Sequence, residues 1–440
     1  MKLETKELIF NLPPLFGLLP LIVYIILSFK KKMNPVVSVF ACAILGAILV
    51  KFPLMQFGNV LAKSLSSFLV LIGVIIMSGS GLGSVLNRTG VAPNIVHIMM
   101  TKIGVNSEKK AILATMITSV ALVTLLGTMA GANAIIAPIV IPLVATMGLT
   151  PSALAVIFQG AGQTGLFIGP FSPPMVTFIK LTGLPYGQVL MYAGLPVAIV
   201  MWIVTYFVAL HVQKKTKGVF SFSPEDVAKQ ENYVPAQETV RATWAFLISI
   251  FALLTYGVAF KQGAAYAIFI MIVVSVCTGL AAKLSIHDIA DAFVAGMSKM
   301  MWMFMMFLLF DPFLNFVQQS GAFKELFELL KPMLQDSGKA IFSFAASAIG
   351  VFGINGAAVA QSVLINTMFA DSVKGLAIDM RLWAMVLLIG SQLTSFAYPG
   401  VDMLGEMGLA RSQDLKSMLK LGYAIIVTIL IVVVIASFVL

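Results

Sequence analysis

Charge is what this sequence has least of: Asp, Glu, Lys and Arg make up 10% of its 440 residues, against 60% hydrophobic residues. That balance excludes a water-soluble domain, which would have too little polar surface to cover its apolar interior. A bilayer removes the conflict, because the outer surface must then be apolar too. Cysteine is nearly absent. Cys42 and Cys277 both lie in apolar runs, which excludes a disulfide framework and a cysteine metal cluster. The three histidines, His97, His211 and His287, fall far apart near expected membrane interfaces, so no metal site and no other cofactor is expected. Ser78-Gly79-Ser80-Gly81-Leu82-Gly83 follows no strand and reads as close helix approach or a kink, not as a nucleotide fingerprint. With no nucleophile–base pair in view either, an enzyme is not expected.

The net charge of +10 does not point to nucleic acid, because the basic residues collect in short loops beside apolar spans. In membranes that placement specifies orientation. Acidic residues in Met1-Lys2-Leu3-Glu4-Thr5-Lys6-Glu7, and the lack of a small-residue cleavage site, favour a retained first helix over a removable signal. A multi-pass protein of the inner membrane, surrounded by lipid, is the expectation.

A crossing needs about 20 apolar residues. Stretches 10–29, 34–50, 66–86, 187–212, 243–260, 264–282, 299–318 and 418–440 qualify. Stretches 152–180 and 381–400 are apolar but interrupted by glycine, proline and polar residues. Two more, 110–148 and 339–372, are too long for one crossing, and each contains a small-residue cluster: Gly127-Thr128-Met129-Ala130-Gly131-Ala132-Asn133 and Gly353-Ile354-Asn355-Gly356-Ala357-Ala358. These predict re-entrant helical hairpins, with two ordinary short helices apiece as the alternative. With the N-terminus outside, Lys30-Lys31-Lys32, Lys109-Lys110 and Lys214-Lys215-Thr216-Lys217 all face the cytoplasm, and 213–242 becomes a cytoplasmic linker between transmembrane halves 1–212 and 243–440. Segments 55–65, 90–105, 285–298 and 320–335 are amphipathic and suited to the interface.

Sliding the sequence by 229 residues, from Gln163 to Gln392, brings Gln163, Phe167 and Pro170 onto Gln392, Phe396 and Pro399. The same shift pairs Lys110-Ala111-Ile112 with Lys339-Ala340-Ile341, and Gly127 with Gly356. Rare residue types thus fall in register at hairpin starts, hairpin tips and broken helices. With an odd number of crossings per half, the second half is inverted relative to the first. The predicted fold class is an all-α polytopic membrane protein of two inverted-topology repeats, each of about five transmembrane helices, one re-entrant hairpin and a broken helix. Inverted repeats built around broken helices suit alternating access in secondary transporters.

On these features the chain resembles the ion transporter superfamily, which holds divalent-anion/sodium symporters, gluconate and citrate permeases and NhaC-type sodium/proton antiporters. The Ser-Asn-Thr hairpin-tip signature of the dicarboxylate branch is absent, and Gly127-Thr128…Asn133 and Gly353-Ile354-Asn355-Gly356 stand in its place. The loops are closer to the NhaC-like and organic-acid permease branches. The resemblance implies a homodimer, and amphipathic helices that act as levers between a mobile transport unit and a fixed scaffold.

Breaks in the backbone within a membrane are tolerated only beside protein or a water-filled cavity. Four are predicted: the two hairpin tips, Gly160-Ala161-Gly162-Gln163-Thr164-Gly165, and Ser391-Gln392-Leu393-Thr394-Ser395. Free N–H groups at half-helix N-termini favour an anion, and unwound carbonyls suit a bare cation. Thr128, Asn133, Gln163 and Thr164 are therefore expected to frame one side of a substrate and cation site, and Asn355, Gln392, Thr394 and Ser395 the other. The same side chains would also serve as interhelical hydrogen bonds.

Asp311, after the apolar run Met300–Phe310, is the sharpest candidate for proton or cation coupling, because a carboxylate at such depth costs about 2.5–3.5 kcal/mol on insertion scales. Its alternative role is a partnered carboxylate near the outer interface. Asp402 and Glu406, one turn later, each suit a cation ligand or second coupling carboxylate, and each also suits a helix-capping residue at the cytoplasmic water boundary, which is the reading preferred for Glu406. The leading functional expectation is transport of a small anionic or zwitterionic organic solute, an organic acid or amino acid, coupled to Na+ or H+. The alternative is a Na+/H+ antiporter without an organic substrate.

Overall fold

The computed structural model describes residues 7–28, 34–103, 107–223, 234–260, 262, 265–322, 325, 329, 338–353 and 358–440. Among these residues the regular structure is entirely helical. Among the described residues seven helices are long and apolar enough to cross a membrane, or eight when the bent pair Pro151–Ile168 and Pro173–Thr182 counts as one crossing. The chain is thus an all-α, multi-pass membrane protein. Residues 1–6, 224–233 and 330–337, which include parts of the expected leader, linker and last amphipathic segment, lie outside the described residues, as does Asn355.

The chain forms two compact units that do not follow its order. One comprises Met1–Val74, Met300–Thr394 and Val432–Leu440; the other comprises Ile75–Lys299 and Ser395–Ile431.

In the first unit, α1 (Leu19–Ser28), α2 (Pro35–Leu49), α3 (Phe57–Ser64) and the start of α4 (Phe68–Arg88) come from the N-terminal end of the chain. Aromatic side chains hold this part together. Tyr24 meets Phe310 edge-on at 5.2 Å between ring centroids, and Phe52 lies 5.1 Å from Phe316.

The second unit contains α5 (Val91–Ile103), α6 (Glu108–Leu126), α7 (Met129–Thr146), α8 (Pro151–Ile168) and α9 (Pro173–Thr182), then α10 (Tyr186–Val189) running through a π-turn at Leu190–Gly194 into α11 (Leu195–Thr216). It continues with α12 (Gln237–Ala259), α13 (Tyr266–Ala281) and α14 (Ile286–Ser298). The remaining helices are α15 (Met301–Gln319), α16 (Gly338–Val351), α17 (Ala358–Gly375), α18 (Met380–Gln392), the short α19 (Thr394–Ala397), α20 (Val401–Leu409) and α21 (Leu415–Val439). Of these, α15 to α18 belong to the first unit and α20 to the second.

Stretch 110–148 forms two helices joined by a tight turn, the form given above as the alternative to a re-entrant hairpin. α6 ends at Gly127 in the left-handed region (φ 65°), where a glycine avoids the Cβ clash, and α7 starts two residues later. Each arm has the length of a crossing helix.

The break predicted at Gly160–Gly165 is not there: α8 runs unbroken through it and stops only at Ile168. The reason lies in packing and in proline chemistry. A Cβ on Gly160 would lie 2.2 Å from Thr205 Oγ1 of α11, and one on Gly165 would lie 2.8 Å from the Val120 carbonyl oxygen of α6. The glycines let α8 sink between its neighbours while keeping its internal hydrogen bonds. Pro170, Pro173 and Pro174 have no N–H to give, so the chain unwinds at Gly169–Ser172 instead. There the Ser172 hydroxyl donates to the Gly169 carbonyl at 2.8 Å and accepts from the Met175 N–H at 3.4 Å, which starts α9 at a bend of 41°. In the second half α18 does end at Gln392 as expected, α19 follows after Leu393, and a further gap at Tyr398–Gly400 precedes α20.

The close fit of α8 makes a measurable difference between glycines. Gly160→Ala should lower the thermal unfolding midpoint in detergent, at a cost of about 1–3 kcal/mol from overpacking. Gly187→Ala, where a Cβ meets nothing within 4 Å, should not lower it. Equal midpoints for the two variants would contradict the packing role.

The small-residue run in α4 also serves approach. The Ser80 hydroxyl donates to the Gly296 carbonyl of α14 at 2.8 Å, and a Cβ on Gly296 would lie 2.4 Å from the Ser80 carbonyl. The other end of α14 is tied to α4 by charge, because Arg88 pairs with Asp288. A hydrogen bond from Ser285, the helix cap, and the Arg88 guanidinium hold the Asp288 carboxyl below the usual range. A carboxyl lowered in this way stabilises the fold above its unfolded pKa, and that contribution disappears as pH falls through the folded one. Wild type should therefore unfold at a higher temperature than Asp288→Ala at pH 7, and the gap should close in acid. A gap independent of pH would rule out the electrostatic origin.

Candidate functional site

The tip of the first hairpin places Asn133 in the first turns of α7, with its side chain fully buried. Its amide is fixed on three sides. The Ser119 hydroxyl of α6 donates to Oδ1 at 2.8 Å, while Nδ2 donates to the Phe158 carbonyl of α8 at 3.1 Å and to Glu406 Oε2 of α20 at 2.8 Å. Gly162 makes room for this arrangement, since a Cβ there would lie 3.0 Å from Asn133 Nδ2. One side chain thus joins the hairpin, the continuous helix α8 and the short helix after the second break, all within one compact unit.

Glu406 is 1% exposed. Oε2 is held by Asn133, but Oε1 is buried without a hydrogen-bond partner, and Glu406 takes part in no ion pair among the described residues. This overturns the reading of Glu406 as a capping residue at the water boundary. Burial arises because its partner stands 273 residues earlier in the chain, a contact that no local pattern announces. Asp402 lies one turn before it on α20, half-buried, on the same helix face. Gly400 is the N-cap of α20 and, having no side chain, gives the first N–H groups no side-chain cap.

The other expected residues divide between the two units. Thr128 is half-buried between α6 and α7 and makes no side-chain cap to α7. Gln163 and Thr164 are buried on α8, where the Thr164 hydroxyl turns back to the Ala161 carbonyl at 2.6 Å. Ser395 is buried, and its carbonyl accepts from Gln159 Nε2 at 3.2 Å. Gln392 and Thr394 are buried in the first unit, the Thr394 hydroxyl donating to the Ser391 carbonyl at 2.9 Å.

Asp311 also lies in the first unit, half-buried on α15. Its Oδ2 accepts from the Ser64 hydroxyl at 2.7 Å and from Asn315 Nδ2 at 3.2 Å. The structure thus contrasts two carboxylates: Asp311 with two donors on one oxygen, and Glu406 with one oxygen bare. Gln361, to which the sequence assigns no role, is another buried polar residue. It donates to the Gly350 and Gly390 carbonyls and so ties α16, α17 and α18 together.

With the geometry in view, comparison with known proteins adds two findings. The model of a Na+/H+ antiporter family matches residues 14–213. The fold is similar to that of the YdaH transporter of Alcanivorax borkumensis, whose crystal structure has an unusual topology: the TM-score is 0.60 at 12% identity, over 96% of this chain and 98% of that one. No curated protein matches the sequence. The fold is therefore a transporter fold, and together with the family match it supports a secondary transporter.

Proposed function

We propose that this chain exchanges sodium for protons across the membrane, with the Glu406 carboxylate as the group that carries either ion. The observation behind the proposal is the buried Glu406, held through one oxygen and bare at the other, with no basic partner among the described residues. An isolated ionised carboxylate in such surroundings is costly and is neutralised in one of two ways: by a proton, or by a cation. A single carboxylate does not hold both at once. Loading sodium from one side expels the proton, and reloading the proton from the other side expels sodium. Asn133 keeps Oε2 in place through the exchange, so Oε1 is the oxygen that changes partner. Asp402, one turn away on the same helix face, is a second carboxyl group within reach of the same region. The match to the antiporter family over residues 14–213 supports the same reading.

An organic-solute symporter is the second reading. The uncapped N-termini of α7 and α20 favour it, because free N–H groups suit a carboxylate ligand.

Proteoliposomes with a trapped pH dye separate the two. An inward sodium gradient should raise the internal pH with no organic solute added, and lithium or potassium should substitute less well. A pH response that appears only when organic acids or amino acids are supplied would favour the symporter.

A further inference from the structure

Gln159 is fully buried near the middle of α8, and sequence reading gave it no role. Its Nε2 donates to the Ser395 carbonyl at 3.2 Å. That bond fixes which way round the amide stands, since the opposite orientation would set two carbonyl oxygens against each other. Oε1 is consequently the free end, and it is buried with no hydrogen-bond partner among the described residues. An acceptor left unmet in such surroundings is destabilising.

Gln159 does not stand alone. Gly162, three residues later, shares its helix face and abuts Asn133. The carbonyl of the adjacent Phe158 and Glu406 Oε2 both accept from the same Asn133 amide nitrogen. Within this compact unit, side chains from α8 and α20 each end in a buried oxygen that no donor meets among the described residues: Gln159 Oε1 and Glu406 Oε1. Hydrogen-bond donors, not further acceptors, would be needed to satisfy them from the protein. Bare oxygens of these two kinds, one from a carboxylate and one from a neutral amide, are what a desolvated hard cation takes as ligands.

We propose that Gln159 Oε1 is a second protein ligand for the sodium ion, acting with Glu406 Oε1 and deciding how well sodium competes against a proton. The assignment rests on the exchange reading above for its physiological meaning. A proton needs one oxygen, whereas a bare sodium ion needs several. Removing the neutral oxygen therefore weakens the cation more than the proton.

The test is equilibrium binding of radioactive sodium to the purified full chain in detergent, beside exchange in proteoliposomes. Gln159→Leu should raise the apparent sodium dissociation constant at least tenfold at constant pH. Gln159→Glu, which keeps an oxygen in place, should recover much of the affinity. Thermal unfolding of each variant without sodium reports whether it is folded. Unchanged sodium affinity in folded Gln159→Leu would overturn the ligand assignment while leaving exchange intact. Wild-type binding without sodium-driven proton movement would overturn the exchange reading, and the affinity of Gln159→Leu would still decide the ligand. If the leucine variant does not fold, equal sodium affinities in Gln159→Glu and Gln159→Met overturn the assignment, and tighter binding in the glutamate variant supports it.

Discussion

Glu406→Gln is expected to lower sodium-driven proton movement at least 100-fold while leaving the protein folded. The substitution keeps size and shape, and an amide oxygen still accepts from Asn133 Nδ2. What it removes is the ability to take up a proton and the negative charge that holds a cation. A unit charge pair at about 4 Å contributes about 4 kcal/mol at the effective dielectric of a protein site, and 1.4 kcal/mol is tenfold in affinity, so the loss exceeds 100-fold. The unfolding midpoint should match or exceed that of wild type, because a buried ionisable group with no counter-charge has been replaced by a neutral one. Glu406→Asp should retain a small part of the activity, since the carboxylate survives but is drawn back from Asn133 by one methylene. Normal exchange by Glu406→Gln in proteoliposomes would remove Glu406 from the mechanism.

Asn133→Ala should produce the second largest loss. It strips Glu406 Oε2 of its donor and the Ser119 hydroxyl of its acceptor, both in buried surroundings. Each orphaned group costs about 1–3 kcal/mol. Exchange should fall roughly ten- to 100-fold, on the same 1.4 kcal/mol per decade, and the unfolding midpoint should fall as well. Glu406→Gln by contrast spares the fold. Two groups in direct contact should be energetically coupled by about 0.5–3 kcal/mol, so a double-mutant cycle on stability with Glu406→Ala should be non-additive. Additivity would mean that the Asn133–Glu406 bond contributes nothing.

Much of the fold was legible because the signals are local. Apolar length marked the crossings, and Gly127 marked the hairpin turn between α6 and α7. Where reading failed, two local patterns competed. The Gly160–Gly165 cluster resembles a break, yet these glycines serve contact with α6 and α11, and the nearby prolines decide where the helix ends.

The candidate site was legible only in part. Asn133 stood out as a polar residue at a hairpin tip. Glu406 did not, because its place one turn after Asp402 and shortly before Arg411 looks like a helix end meeting water. Only tertiary contact with α7 and α8 buries it. Gln159 carried a faint signal, four residues before Gln163 on one face of an apolar helix, and nothing in the sequence says that its oxygen is left bare.

The claim that one carboxylate serves two ions is tested most directly by following protons while sodium binds. Purified protein in weakly buffered detergent, held at a pH where Glu406 is protonated, should release about one proton for each sodium bound, and Glu406→Gln should release none. Sodium that binds to the wild type without releasing any proton would mean that the two ions do not compete for Glu406.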